Sequence, residues 1–346
     1  MFKRILFSSS LLMAALVGRA QFFYPIQKDA EEFQKRSLIV HLIEEDEKVV
    51  KEIKSKLGKN SPELAKKLED YSLHIKAQND ILKAAVSRYW KTSKSVEFKT
   101  RSEIDDFLSD KKILHDYAVL EVGWKTDFHS KAGVVEPVKV FAFVAYVAEA
   151  SDRNIPNLKR SPTLKSDYIF KVAFPSDNLQ LSDYIFAMHQ FNFHLKNATA
   201  EGQILERYRT LMFIPPFNRA GYDLLKKKTL MLPPSVLEGH TMKSVDSVYS
   251  FHTTEMDSKL FEESVEQQFS KYAYITKVWS DRQSSFTYMV VGASEGIILC
   301  EMSAKTTDPK VPVHAAESDG TSFYKNEIGI SISTLGHLQH ILDPNK

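Results

Sequence analysis

Apolar and polar residues fall along this chain in blocks, and the period within each block predicts an element. "SLIVHLI" at 37–43 is apolar, bounded by charge, and reads as a buried strand. In the "EEDEKVVKEIKSKL" that follows, Val49, Val50, Ile53 and Leu57 share one face of an amphipathic helix, which Gly58 stops. Ser61-Pro62-Glu63 supplies an N-cap with proline at the first helical position. It launches a long helix to about Trp90 through Leu64, Leu68, Tyr71, Ile75, Leu82, Val86 and Trp90. A strand at 95–99, a helix from Thr100, a strand at 116–122 and the apolar hairpin "VKVFAFVAYVAEA" come next. Thr100 and Glu103 have the spacing of a capping box, in which hydroxyl and carboxylate satisfy the amides of the helix start.

The charged, turn-rich stretch at 151–167 reads as an exposed loop, and "YIFKVAF" precedes a helix from Ser182. Tyr184, Met188, Phe191 and Leu195 have the spacing of a buried stripe on that helix. The connector "ERYRTLMFIPPFNRAGYD" then leads to strands at 227–234 and 247–252, a helix at 254–269, a strand at 271–278, a hairpin, and a helix at 333–343.

The two halves of this series resemble each other. "SVEFKTRSEID" from Ser95 matches "SVYSFHTTEMD" from Ser247 without gaps at an offset of 152. "YAVLEVGW" from Tyr117 matches "YAYITKVW" from Tyr272 at 155, and "LSDYIFAMHQF" from Leu181 matches "ISTLGHLQHI" from Ile332 at 151. Coincidental matches would not keep register so closely, so the pattern predicts duplication. The expected fold is α/β, or α+β: two related repeats of alternating strand and helix, each ending in a β-hairpin, with the long helix inserted in the first. The repeats are expected at 21–222 and 223–346, after a signal peptide at 1–20.

That signal rests on Lys3 and Arg4, an apolar run from Ile5 to Val17, and small Gly18 and Ala20 before Gln21. The run is too short for a transmembrane helix, and no later segment offers ~18 uninterrupted apolar residues. The pattern predicts cleavage after Ala20 and a periplasmic or secreted protein with no transmembrane segment. Cleavage would change the formal charge from +2 to −1, which gives no electrostatic footprint for nucleic acid. Cys300, the single cysteine, excludes an intramolecular disulfide, and its setting in "GIILCE" predicts an inert strand thiol.

"LKKKTLMLPPSVL", "TTEMDSKLFEE", "KYAYITKV" and the hairpin closing in "VVGASEGIIL" together resemble a group of uncharacterised secreted proteins of the Bacteroidetes. The element order of the second repeat is also similar to the α/β domain in the N-terminal part of TolB and of CsgG-like envelope proteins. The resemblance implies an envelope protein that binds or positions something; it carries no catalytic signature.

Candidate chemistry is sparse. Gly292-Ala293-Ser294-Glu295-Gly296 spells G-x-S-x-G, with Asp308, Asp319, His314, His337 and His340 downstream, the order a serine hydrolase permits. A nucleophile elbow needs a strand, a turn and a helix, whereas "IILCEM" after Ser294 reads as a strand, so the glycines are better explained as turn residues. His337 and His340 share a helix face, and His314 is a candidate third metal ligand, but no acidic partner stands at a fixed spacing. Phe213, Phe217 and Tyr222 are the candidates for an apolar binding groove, Phe217 foremost because prolines hold its segment out of regular structure. The expectation is an exported, non-catalytic protein without a cofactor that binds an envelope protein partner or a ligand. The alternatives are a hydrolase using Ser294 and a carrier of a small ligand or metal.

Overall fold

The computed structural model describes residues 27–57, 61–109, 114–131, 134–147, 169–199, 219–233, 241–280, 285–294, 296–303 and 332–344. In chain order the elements are α1 Gln27–Lys35, β1 Ser37–His41, α2 Glu47–Leu57, α3 Pro62–Tyr89, β2 Val96–Lys99, α4 Arg101–Ser109, β3 Tyr117–Lys131, β4 Val134–Val147, β5 Phe170–Phe174 and α5 Leu181–Thr199. They continue as α6 Arg219–Leu225, β6 Thr229–Leu232, α7 Met242–Asp246, β7 Thr253–Glu255, α8 Ser258–Glu266, β8 Tyr272–Ser280, β9 Ser285–Gly292, β10 Ile298–Ser303 and α9 Ile332–Leu342. The protein is of the mixed α/β or α+β class.

Two five-stranded sheets form, in the orders β2-β1-β3-β4-β5 and β7-β6-β8-β9-β10. In each, the first three strands are parallel and the last two run antiparallel, so one pattern of direction serves both. Ser37 lies opposite Tyr117 in the first sheet, and Thr229 opposite Tyr272 in the second.

Alternation along the strands decides which face each sheet turns to which helices. Ala118, Leu120 and Val122 of β3 point into the main core with Ala30 and Phe33 of α1, Leu82 and Val86 of α3, and Tyr184, Phe191 and Leu195 of α5. Val119 points the other way, to Ile104 of α4. The second sheet sends Met231, Tyr274, Val278, Met289 and Val291 into the same main core, alongside Phe261 and Val265 of α8. Its opposite face, with Leu230, Ile275, Tyr288 and Cys300, packs on α6, α7 and α9 through Leu225, Val245, Leu335 and Leu338. Helix α5 is therefore shared: it closes the core of the first sheet and lies against the second. Almost every side chain from Ser182 to Met188 is buried. A single apolar stripe would not suffice, because both sides of this helix meet protein.

Several expectations are met closely. The long helix runs Pro62–Tyr89, with the Ser61 side chain accepting from the Glu63 amide. Thr100 and Glu103 cap reciprocally: Glu103 Oε2 accepts from the Thr100 amide at 2.7 Å, and Thr100 Oγ1 from the Glu103 amide at 3.4 Å.

Other expectations need correction. No strand forms at 247–252; Thr241 instead caps α7, whose Val245 buries with Tyr249 in the second core, and the chain is still turning at 247–248. The strand is β7, at Thr253–Glu255. Thr253 lies opposite Leu230 as Val96 lies opposite Leu38, so the ungapped match at an offset of 152 is displaced by five residues. Asp257 caps α8 as Thr100 caps α4. The helix expected at 254–269 is confined to Ser258–Glu266, because Gln268 turns the chain with φ of 56°. The strand expected at 116–122 extends to Lys131, in a much longer hairpin than β8–β9. Lys171 of β5 pairs with Asp127 of β3, although Lys171 lies opposite Val144 and Asp127 opposite Val138. The outer half of the hairpin therefore curls back toward its own sheet. Position 222 falls inside α6, which packs on β10. The segment expected to be a signal peptide lies outside the described residues.

Candidate functional site

β1, β2 and β3 are parallel, so their carboxyl ends share one edge of the first sheet, the edge at which open α/β sheets take ligands. Beyond Leu120, β3 continues the inward row Ala118, Leu120, Val122 with Trp124. At this point the covering helices no longer close the surface, and the indole is 37% exposed. Its ring stands edge-on to Phe141, with centroids 5.7 Å apart, and its N–H donates to Asp177 Oδ2 over 3.4 Å. Asp177 lies in the turn between β5 and α5.

Burial holds the Asp177 carboxyl above its ordinary range, partly offset by His74 of α3 and by the indole N–H. One turn earlier on α3, the Tyr71 hydroxyl accepts from the Asp46 amide at 3.0 Å. Its acidity is reduced first by burial, and further by the charges of Asp46, Asp177 and Glu45. An aromatic face, a half-buried carboxyl and an imidazole thus meet at the sheet edge. Such a set can hold a ligand that offers an apolar face and a hydrogen-bonding or cationic group.

The opposite face of the same edge carries a different cluster. Glu44 Oε2 takes His41 Nε2 at 3.2 Å and the Arg101 amide at 3.1 Å. Arg101 reaches Asp105 at 3.0 Å and Glu121 at 3.5 Å, and Lys125 reaches Glu121 at 2.6 Å. The start of α4 would be a natural anion position. Here the chain's own Glu44 and Glu103 occupy its amide donors. This cluster is a closed ionic network rather than an anion receptor.

A third polar group lies in the interior. Asp183, 2% exposed, accepts from the Gln180 amide and from Thr276 Oγ1, each at 3.0 Å. Glu262 of α8 accepts from the Ser182 amide at 2.7 Å and from Ser182 Oγ at 3.0 Å. Burial pushes Asp183 up to about 6 and Glu262 up to about 7, the latter helped by Asp183 itself.

Ser294 sits in the turn joining antiparallel β9 and β10, so strand follows turn where a nucleophile elbow requires helix. Its Oγ is buried with no hydrogen-bond partner among the described residues. Gly296 explains half of the motif: its φ is +63°, its carbonyl accepts from Gln190 at 2.7 Å, and a Cβ there would stand 2.1 Å from His189 Nδ1. His337 is half-buried and His340 exposed on α9; no group of three potential metal ligands occurs among the described residues. Tyr222 packs against the second core, and burial pushes its hydroxyl to about 12. Phe213, Phe217, His314, Asp308 and Asp319 lie outside the described residues. Cys300 is fully buried in β10, with its thiol pushed to about 12.

Sequence reasoning missed Trp124, Asp177 and His74 as a group. Trp124 entered only through its match to Trp279, and no spacing links residues brought together from a strand, a turn and a helix. Comparison with protein-family models, with curated proteins and with solved structures finds no match.

Proposed function

We propose that this chain is an exported, non-catalytic protein of the cell envelope that acts by binding a protein partner or ligand at the carboxyl edge of its first sheet. The observation that carries this reading is the exposed indole of Trp124, oriented by Asp177 beside His74. Aromatic rings that combine a large apolar face with a polar tip are enriched in recognition surfaces. The charged leader pattern at Lys3 and Arg4 supports export, and the likeness in element order to TolB and CsgG-like envelope domains supports an envelope role.

We further propose that the two sheets descend from one duplicated unit. Their common strand order supports this, as do Thr100 and Asp257, which cap the helices entering β3 and β8. On that view Trp279 is the counterpart of Trp124. Trp279 is only 3% exposed, packed with Val140, Ala142 and Ala173 of the first sheet.

The test is affinity capture of the tagged, processed chain from its own envelope after mild cross-linking, alongside a Trp124→Ala variant. A stoichiometric partner held by the wild type and lost from the variant is the expected result. Equal recovery by both would remove Trp124 from the surface. Turnover of a defined substrate, with a serine-directed label on Ser294, would replace binding by hydrolysis.

A further inference from the structure

The two sheets meet along α5, and the polar part of that joint has an unusual composition. The first half contributes Ser182 and Asp183, at the start of α5; the second contributes Glu262 from α8 and Thr276 from β8. Among the described residues, every hydrogen bond to the two carboxyls comes from a neutral donor: the Gln180 and Ser182 amides, Ser182 Oγ and Thr276 Oγ1. Among the described residues, no lysine, arginine or histidine pairs with either carboxyl.

Among the described residues, the other ionisable groups that act on the two carboxyls or border them are also acidic or neutral. They are Tyr184 beside Asp183 on α5, Tyr274 on β8 and Glu266 one turn along α8. The adjoining cation, Arg88 of α3, is engaged with Glu266.

A fully buried and a half-buried carboxylate side by side, without a counter-ion among the described residues, repel each other and lose hydration, so the joint favours their neutral forms. We propose that the seam between the two sheets is proton-sensitive: α5 stays docked on α8 and β8 while Asp183 and Glu262 hold protons, and the joint loosens as those protons leave. Values near 6 for Asp183 and near 7 for Glu262 place the change around neutral pH. The seam lies a few residues from Asp177, so the start of α5 links it to the Trp124 edge.

Hydrogen exchange of the Gln180 and Ser182 amides in the full chain tests this, with rates corrected for the intrinsic pH dependence of exchange. In the wild type, protection is expected to be about tenfold higher at pH 5 than at pH 8, the change that one pKa unit of differential interaction supplies. In Glu262→Gln and Asp183→Asn, which keep the shape and remove the charge, the ratio should fall toward unity. The Trp90 amide, bonded to the Val86 carbonyl within α3, serves as the control that should not change. A wild-type ratio near unity, or one unchanged in both variants, would overturn the proposal. If neither variant folds, carbonyl NMR titration of the wild type decides instead. Midpoints above the ordinary values of about 3.9 for Asp183 and about 4.3 for Glu262 support the seam, and midpoints at or below those values remove it.

Discussion

At the scale of single residues, what separates a motif from a site is what its atoms touch. Gly296 completes G-x-S-x-G, yet its position is fixed by a left-handed φ of +63° and by His189, whose ring fills the space a Cβ would need. Gly296→Ala should therefore cost at least about 2 kcal/mol in denaturant unfolding, from backbone strain and the clash together. His189→Ala in the same chain should recover part of that loss, so the double variant should cost less than the sum of the singles. Gln78 of α3 is the opposite kind of residue, polar and buried because both ends are used. Its Oε1 accepts from the Tyr184 hydroxyl at 2.7 Å, and its Nε2 donates to the Leu179 carbonyl at 3.2 Å. Gln78→Leu strands two buried groups and should cost on the order of 2–3 kcal/mol. Adding Tyr184→Phe should return about 1 kcal/mol of it, because the stranded hydroxyl is then gone.

At the scale of elements, local chemistry sets helix starts. Ser61, Thr100, Thr241 and Asp257 each accept from an amide of the turn they open. Thr100→Ala should accordingly cost about 1 kcal/mol, with the loss of amide protection confined to the first turn of α4. These caps are written in a few adjacent residues, which is why the starts of α3 and α4 were legible in sequence, whereas the short helices α1, α6 and α7 were not read. The strand expected at 247–252 failed because Val248 and Tyr249 look as apolar as strand residues although they lie in the turn that follows α7, and only tertiary packing of Tyr249 into the second core decides. The all-round burial of Ser182 to Met188 in α5 was also hidden, since the stripe of Tyr184, Met188, Phe191 and Leu195 names one buried face and not the second sheet behind it. The Trp124 edge was hidden for a simpler reason: Asp177 and His74 come within electrostatic reach of each other although they lie far apart in the chain.

At the scale of the whole molecule, buried Asp183 and His194 and half-buried Glu262 set opposing demands on protons. Asp183 and Glu262 have folded values raised to about 6 and about 7, so each binds a proton more readily in the native chain than in the unfolded one. Their stabilising contribution is complete below the unfolded values, and it is lost as pH rises through the folded ones. His194 acts in the other sense. It is 2% exposed, and burial lowers it to about 3, so the unfolded chain takes up its proton first as pH falls below the ordinary histidine value. Its contribution is full above about 6.5 and declines toward pH 3. Between roughly pH 4.5 and 6 the two carboxyls outweigh the one imidazole, and stability should rise as pH falls. Below about pH 4 the unfolded carboxyls take up protons as well and His194 outweighs them, so stability should fall again. Thermal unfolding across pH 3–8 should therefore peak near pH ~4, more acidic than the range of about 5–8 usual for proteins. Asp183→Asn should flatten the alkaline side of that curve while leaving its acid limb intact, and His194→Gln should flatten the acid limb. A wild-type maximum at or above pH 7 would mean that the carboxyls at the seam are charged throughout, and that their protons are not what holds α5 to the second sheet.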